Sequence, residues 1–265
     1  MTEPHARASL DPDDLRRFGE ALRAMPMRQG RFERALRLAI RAWCHLVDWR
    51  IDVEGMASLP RPDGGMAGAG CVVAAAPHRA WVEPFLLLSA WPVDAARLVW
   101  LADGRTVTRS WWRRRLLPKI GIIPIAGGLR DLQTYVDLAA SALDAGAAIV
   151  VFPEVGPPSV VDRTRRISPG FAYIAGGAGA SVIPVIVGGT HRIVRGSSFS
   201  VAALDALEVA TTVPDAFTPA SRERAHALAH RCEEAINAAL PAHTARADAC
   251  APKRERWPWL ARLFG

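Results

Sequence analysis

The stretch CVVAAAPHRAWVEP, residues 71–84, decides the fold prediction, because in it a buried strand gives way to a loop and then to a helix. The apolar run Cys71–Ala76 is typical of a strand that is buried on both faces. Pro84 suits the first position of a helix, which places Glu83 at about the N-cap. His78 is therefore predicted to lie in a strand-to-helix loop, at the carboxyl end of a strand.

The same alternation of short apolar runs and helical segments continues on both sides of this stretch. The predicted strands are Arg50–Val53, Cys71–Ala76, Arg97–Leu101, Gly121–Ile125, Ala148–Phe152 and Ser181–Val187. The predicted helices between them are Pro84–Ser89, Ser110–Leu117, Asp131–Ala145 and Gly170–Gly179. Strands that alternate with helices predict an α/β fold with a central, mostly parallel sheet covered by helices. Residues 214–240 close this fold as a loop and a long helix.

Residues 1–49 are predicted to hold a pair of amphipathic helices that begins near residue 11. The second helix, Arg31–Trp49, combines an apolar stripe with arginines on a different face. The stripe contains Phe32, Leu36, Ile40, Trp43 and Val47, and the arginines are Arg31, Arg34, Arg37 and Arg41. A basic amphipathic helix of this kind either lies in a membrane interface or packs on the core with a solvated arginine face. We expect residues 1–49 to dock on a membrane.

Residues 50–240 form the predicted catalytic domain, and residues 241–265 form a basic, tryptophan-rich tail. The tail ends in KRERWPWLARLFG, where basic residues are interleaved with Trp257 and Trp259. Such a segment either docks on the protein body or lies in a lipid headgroup layer, and its two tryptophans favour lipid.

The composition narrows the classes of partner and of cofactor. The net charge of +7 suits anionic partners, namely nucleic acid, anionic lipid or phosphorylated cofactors. Four scattered cysteines without a CxxC pair indicate neither a metal site nor a disulfide framework. The uncharged stretch 167–190 contains two prolines and six glycines, so it fits a helix, a turn and a buried strand better than a membrane span. We expect no transmembrane helix and no signal peptide.

His78 and Glu83 are the residues best placed to do chemistry. A carboxylate bonded to one ring nitrogen of a histidine fixes the tautomer and leaves the other nitrogen free to take a proton. Such a pair can activate an alcohol directly, without an enzyme nucleophile. A histidine in a loop is more often structural or merely solvent-exposed, so the pair alone leaves both interpretations open.

Four short motifs, taken in order, resemble those of the glycerolipid and lysophospholipid acyltransferase family. The first motif of that family is a His followed after four residues by an acid, usually Asp. The matching segments are PHRAWVEPF (77–85), GIIPI (121–125), VFPE (151–154) and VIPVIVGGT (182–190). The order and spacing agree from residue 50 to about residue 196, with Glu83 in the acid position.

The resemblance implies a reaction and roles for several residues. His78 would deprotonate an acceptor hydroxyl, which then attacks the thioester of acyl-CoA or of acyl-carrier protein, while Glu83 holds the imidazole. Glu154 would help to shape the acceptor pocket. Gly127 and Gly128 would either let the backbone approach a substrate or form a plain turn. The expected acceptor is a lysophospholipid or related lipid, with no cofactor and no nucleic-acid partner. The expected location is an anionic membrane surface, on its cytoplasmic face.

Two arginines of the family pattern are missing. Gly127 and the segment 155–157 stand where relatives carry arginines that contact phosphate. Nearby arginines that could substitute for them, or simply lie on the surface, are Arg130, Arg163, Arg165 and Arg166. An acceptor that carries a phosphate monoester is therefore not implied, and a glycolipid acceptor is an alternative.

Two other functions would each require a sequence motif that can be looked for directly. A serine hydrolase of the α/β type needs a GxSxG elbow, which the sequence lacks. A nucleotide-binding module needs GxGxxG between a strand and a helix, or a Walker A sequence, and neither is present. The remaining alternative is a non-catalytic lipid-binding protein on the same fold.

Overall fold

The structure is a computed structural model that describes residues 19–20, 30–59, 70–104, 120–125, 129–155, 161–209 and 218–250. The predicted helix Ser110–Leu117 and the basic end of the tail lie outside the described residues.

Five helices and nine strands are found in the described part of the chain. The helices are α1 (Arg31–Leu46), α2 (Glu83–Ala90), α3 (Leu129–Asp144), α4 (Gly170–Ala178) and α5 (Pro219–Ala249), with a short 3-10 turn at Met56–Ser58. The first five strands are β1 (Arg50–Glu54), β2 (Cys71–Ala76), β3 (Leu98–Asp103), β4 (Ile122–Ile125) and β5 (Ala148–Val151). The remaining strands are β6 (Glu154–Val155), β7 (Arg166–Ile167), β8 (Val182–Gly188) and β9 (Ser198–Ala203).

Seven strands form one sheet in the order β1-β9-β8-β2-β5-β3-β4. The five strands from β8 to β4 are parallel to one another. β9 pairs with β8 in the antiparallel sense, and β1 pairs with β9 in parallel, so these two strands run against the other five. β6 and β7 form a separate two-stranded ladder. The predicted α/β fold with a mostly parallel central sheet is confirmed.

The two faces of the sheet are covered by different helices. Strand side chains alternate between the faces, so Val72 and Val73 of β2 belong to two separate apolar clusters. One cluster joins the sheet to α3, α4 and α5 and includes Phe171 and Ile236. The other joins the opposite face to α1 and α2 and includes Leu87 and the fully buried Trp91.

The parallel register brings the ends of three central strands to one edge. Cys71 of β2 is level with Ala148 of β5, and Ala76 of β2 is level with Ile186 of β8. The loops that follow β2, β5 and β8 therefore leave the sheet side by side at its carboxyl edge, where open α/β sheets bind ligands.

Helix α1 corresponds to the second helix of the predicted N-terminal pair, and Leu36, Ile40 and Val47 of the predicted apolar stripe contact the core. The first helix lies outside the described residues apart from 19 and 20. Phe32 of the predicted apolar stripe is 58% exposed, whereas Arg37 of the predicted arginine face is buried. Glu33 pairs with Arg97, the residue just before β3, which explains why a charged turn of this helix points inward.

Two further features differ from the sequence prediction. Strand β9 was not predicted, and its antiparallel pairing separates β1 from the parallel strands. Helix α5 continues through Pro241 to Ala249, beyond residue 240 where the predicted domain ends.

No helix in the described ranges combines the length and the hydropathy that crossing a bilayer requires.

Candidate active site

The catalytic candidate lies at the carboxyl end of β2, as predicted. The chain leaves β2 through a cis peptide bond between Ala76 and Pro77, and His78 follows at once. Helix α2 begins at Glu83, which puts the carboxylate in the first helical turn, one position later than the predicted N-cap. The loop between these two elements is short enough to bring both side chains together.

His78 and Glu83 form a hydrogen-bonded pair. Nδ1 of His78 lies 2.7 Å from Oε2 of Glu83. A carboxylate only accepts hydrogen bonds, so in a neutral imidazole Nδ1 is the donor and Nε2 is the nitrogen with a free lone pair. The side chain of Glu83 is fully buried, whereas that of His78 is 43% exposed. The histidine can therefore meet a substrate while its partner is shielded from water.

Three other donors hold the carboxylate of Glu83 in place. The backbone amide of Arg79 donates to both carboxylate oxygens, at 2.8 and 2.9 Å, and the amide of Ala80 donates to Oε1 at 3.1 Å. The hydroxyl of Thr190, in the loop after β8, donates to the same Oε1 at 2.6 Å. Because both oxygens are bonded, the carboxylate has little freedom to turn away from His78.

The loop after β5 supports His78 from the other side. Phe152 stacks on the imidazole with ring centroids 4.2 Å apart and planes inclined by 27°. Oε2 of Glu154 accepts a hydrogen bond of 2.8 Å from the backbone amide of His78, and its Oε1 accepts one of 3.0 Å from the amide of Arg165. Glu154 thus ties the loop after β2 to the segment that precedes β7, and its role in an acceptor pocket stays a prediction.

Arg79 makes a second connection between the same two segments. Its guanidinium donates to the backbone carbonyl of Arg163 at 3.0 Å. Burial lowers the pKa of Arg79 from its usual value, against the opposing effect of carboxylates that include Glu154 and Glu83. A cation thus lies close to the carboxylates of Glu83 and Glu154, although the arginines of the family pattern are absent.

Of the other predicted site residues that the structure describes, only some contact the His78–Glu83 pair or its supporting residues. Arg165 is half-buried and joins the site through its backbone, while Arg163 and Arg166 are exposed on the segment that contains β7. Arg130 belongs to α3, but its side chain lies outside what the structure describes, as do Gly127 and Gly128.

Sequence reasoning missed the individual roles of Thr190, Phe152 and Arg79. Thr190 ends the fourth motif, and Phe152 lies within the third. A polar residue directly after a buried parallel strand signals the carboxyl edge, so Thr190 could have been found in this way. Arg79 carries no such signal, because its contact depends on the fold of a distant loop.

A largely apolar cavity of about 590 Å³ opens beside the imidazole of His78. Its described wall is built from α1, the loop after β2, α2, strand β3, the start of β4 and the loop after β5. Among its aromatic and aliphatic lining residues are Trp81, Phe85, Leu98, Trp100 and Phe152. A cavity of this size and character fits an apolar ligand.

This arrangement can carry out general-base chemistry on a substrate held in an apolar cavity. Nε2 of His78 can remove a proton from a hydroxyl, and Glu83 then stabilises the resulting imidazolium. Such a step would need no nucleophilic serine or cysteine, because a hydroxyl that loses its proton to the imidazole is itself a nucleophile.

Comparisons with known proteins agree with the geometry. The profile of the acyltransferase family matches residues 50–188. This range includes His78 and Glu83, and also Phe152 and Glu154. The crystal structure of PlsC from Thermotoga maritima, a 1-acyl-sn-glycerophosphate acyltransferase, is similar in fold, with a TM-score of 0.54. The two proteins share 18% sequence identity over 79% of each chain. A comparison with curated proteins gives no match. Because the family profile covers more than half of the sequence, the chain belongs to the acyltransferase family.

Proposed function

We propose that this protein transfers a fatty acyl group from an acyl thioester to a hydroxyl of a lysophospholipid or a related lipid. His78 acts as the general base, and Glu83 orients it. The observation that carries the proposal is the 2.7 Å bond between a buried carboxylate and a half-exposed imidazole that lines an apolar cavity.

The length and the apolar lining of the cavity support the proposal that it binds the acyl chain of the substrate. Lining residues run along β3 from Leu98 to Asp103, a path of about 16 Å at about 3.3 Å per residue. His78 lies past the carboxyl end of the neighbouring parallel strands, so the cavity leads away from the base along the sheet. An extended chain in this cavity would keep its thioester next to His78, within reach of the acceptor hydroxyl.

The carrier of the acyl group is either coenzyme A or acyl-carrier protein, since both present a thioester on a phosphopantetheine arm. The acceptor is proposed from the family and from the chemistry of the site. Arg79 brings positive charge close to the carboxylates of Glu83 and Glu154, which suits the phosphodiester of a lysophospholipid.

Helix α1 supports a position on an anionic membrane surface. Leu38 and Leu46 are 67% and 69% exposed, and Phe32 is also largely exposed. Arg34 and Arg41 are exposed on the same helix. Exposed apolar side chains next to cations are the features by which an interfacial helix binds lipid. Because α1 also lines the cavity, this position would bring lipid substrates close to the base.

The function is tested by incubating the protein with labelled palmitoyl-CoA and a panel of acceptors in mixed micelles. We expect label in the product of at least one lysophospholipid, and far less label when the His78→Ala variant is used in place of the wild-type protein. Label found only in glycolipid products would show that the acceptor is a glycolipid and not a lysophospholipid. An absence of transfer to every acceptor from either palmitoyl-CoA or palmitoyl-carrier protein would contradict the proposal and favour a lipid-binding role.

A further inference from the structure

The loop after β8 connects two helices that cover opposite faces of the sheet. Thr190 of this loop donates to Glu83 of α2, and α2 packs on one face. The next residue, His191, contacts α5, which packs on the other face. Nε2 of His191 lies 3.1 Å from Oδ1 of Asp248, in the last turn of α5. Two adjacent residues thus join the carboxylate of the catalytic pair to the end of a distant helix.

The backbone of this loop passes tightly between α5 and β9. Gly189, directly before Thr190, has a φ of 85°. A Cβ atom at position 189 would lie 2.9 Å from Cβ of Ala247 on α5 and 2.5 Å from the carbonyl oxygen of Ser198 on β9. A side chain at this position would not fit. The position of Thr190 therefore depends on where the last turns of α5 lie.

Those last turns of α5 are held to the edge of the sheet. Arg246 forms ion pairs with Asp52 and Glu54 of β1. Nδ1 of His243 lies 2.7 Å from the hydroxyl of Ser200 on β9. Helix ends commonly fray, but these contacts hold this end in place. It can therefore serve as a fixed support for the loop after β8.

The imidazole of His191 depends on Asp248 for its orientation. Its side chain is 19% exposed, and its Nδ1 is buried without a hydrogen-bond partner among the described residues. The carboxylate of Asp248 accepts, so Nε2 carries the hydrogen atom of this contact. Loss of the contact would release the ring of His191 and loosen the backbone that carries Thr190.

We propose that His191 is a positioning residue for the His78–Glu83 pair. Asp248 holds His191, His191 fixes the loop that carries Thr190, and Thr190 keeps the carboxylate of Glu83 aligned with the imidazole of His78. His191 is not among the described residues that line the cavity, so it acts on the chemical step and not on substrate binding. This inference rests on the proposed function, because it concerns the same site.

Two substitutions at position 191 separate the contact with Asp248 from the packing of the ring. His191→Phe keeps a ring but removes the donor, whereas His191→Gln keeps a donor. We expect kcat of acyl transfer to fall about fivefold in the phenylalanine variant with little change in KM, and the glutamine variant to keep most of the wild-type rate. An unchanged kcat in a folded His191→Phe protein, or an equal loss in both variants, overturns the inference.

His230→Phe is the matched control. His230 is an exposed histidine of α5 whose Nδ1 lies 3.2 Å from Glu234, so this variant also removes a contact between a histidine and a carboxylate. It should keep the wild-type kcat. A loss in this control as large as that in His191→Phe would overturn the assignment to the loop after β8.

A double-variant cycle tests whether His191 acts through Thr190. In Thr190→Val the hydroxyl is already absent, so adding His191→Phe should cause little further loss of kcat. Losses that multiply, with His191→Phe lowering kcat equally in both backgrounds, would show independent effects and overturn the inference.

The hydrogen bond between His78 and Glu83 gives a measurement that needs no acyl transfer. The Nδ1 proton of His78 should give a low-field proton resonance that is lost in His78→Ala. We expect this resonance to broaden through faster exchange with water in His191→Phe, and to keep its width in His191→Gln and His230→Phe. Broadening in a protein whose wild type transfers no acyl group supports the positioning role and contradicts the transferase. Unchanged width and kcat in an active His191→Phe protein support the transferase and overturn the positioning role.

Discussion

The hydroxyl of Thr190 donates to Oε1 of Glu83 at 2.6 Å, although the two residues are 107 positions apart in the sequence. They meet because β2 and β8 are parallel neighbours whose carboxyl ends lie at the same edge of the sheet. The segment after β5 reaches His78 at the same edge through Phe152 and Glu154. The sheet thus aligns three loops around one histidine.

Loss of the Thr190 hydroxyl should slow the chemical step more than it weakens binding. Thr190→Val keeps the shape of the side chain but removes a donor to a buried carboxylate, so Glu83 holds His78 less firmly. We expect kcat to fall about tenfold with little change in KM. Thr190→Ser retains the hydroxyl and should keep most of the activity. Equal kcat values for the valine variant and the wild type would show that this bond does not serve the base.

The depth of the cavity along β3 should set the preferred acyl length. Leu98 lines the cavity at the amino end of this strand, so Leu98→Phe shortens the available space. The variant should use palmitoyl-CoA poorly and dodecanoyl-CoA about as well as the wild type does. Val99 faces the opposite apolar cluster, which makes Val99→Ile a suitable control. An unchanged chain-length profile in a folded Leu98→Phe protein would contradict the direction assigned to the cavity.

The exposed face of α1 should bind anionic lipid. Leu46→Glu introduces a negative charge among exposed apolar and basic side chains, which opposes both insertion and electrostatic attraction. Flotation with vesicles containing phosphatidylglycerol should recover less of this variant than of the wild type. Val53→Glu on β1 alters an exposed apolar residue on another part of the surface and serves as the control. Equal recovery of all three proteins would argue against α1 as the docking element.

His243 should make the protein less stable in mild acid. Its Nδ1 lies 2.7 Å from the hydroxyl of Ser200, and burial lowers its pKa in spite of the nearby Asp52. The unfolded chain therefore takes up this proton first as the pH falls. The stabilisation is fully present above the ordinary pKa of about 6.5 and is lost as the pH falls through that value toward the lowered one.

The measurement for His243 is thermal unfolding at about pH 7.5 and at about pH 5.5, on either side of the ordinary histidine value. The decrease in Tm between these values should be larger in the wild type than in His243→Gln, since all other titrating groups are shared. Identical decreases would show that His243 does not contribute.

The sequence predicts the parts of this fold that depend on local patterns. The run Cys71–Ala76 is apolar throughout and becomes a fully buried strand, and the His-to-Glu spacing becomes a hydrogen bond. Strand β9 escapes such reasoning because its serines interrupt the apolar pattern, yet all of its residues are buried by contacts from distant elements. Its antiparallel pairing with β8 is a matter of topology that no local pattern encodes.

The charged interior of α1 shows a second limit. Periodicity assigned Arg37 to a solvated face, because a helical pattern assumes that charges avoid the core. Glu33 and Arg97 are 64 positions apart, and their ion pair makes an inward-facing charged turn possible. Such long-range pairing decides which face of an amphipathic helix is buried, and it is invisible until the fold brings the partners together.

The most direct test of the central claim is the rate of acyl transfer by His78→Ala, measured with the acceptor on which the wild type is most active. General-base catalysis contributes about 10²- to 10⁴-fold, so we expect a loss of that size in kcat. The variant should keep the wild-type Tm and its affinity for palmitoyl-CoA, because Glu83 remains bonded to Arg79, Ala80 and Thr190. A folded His78→Ala protein that transfers acyl groups at the wild-type rate would contradict the mechanism.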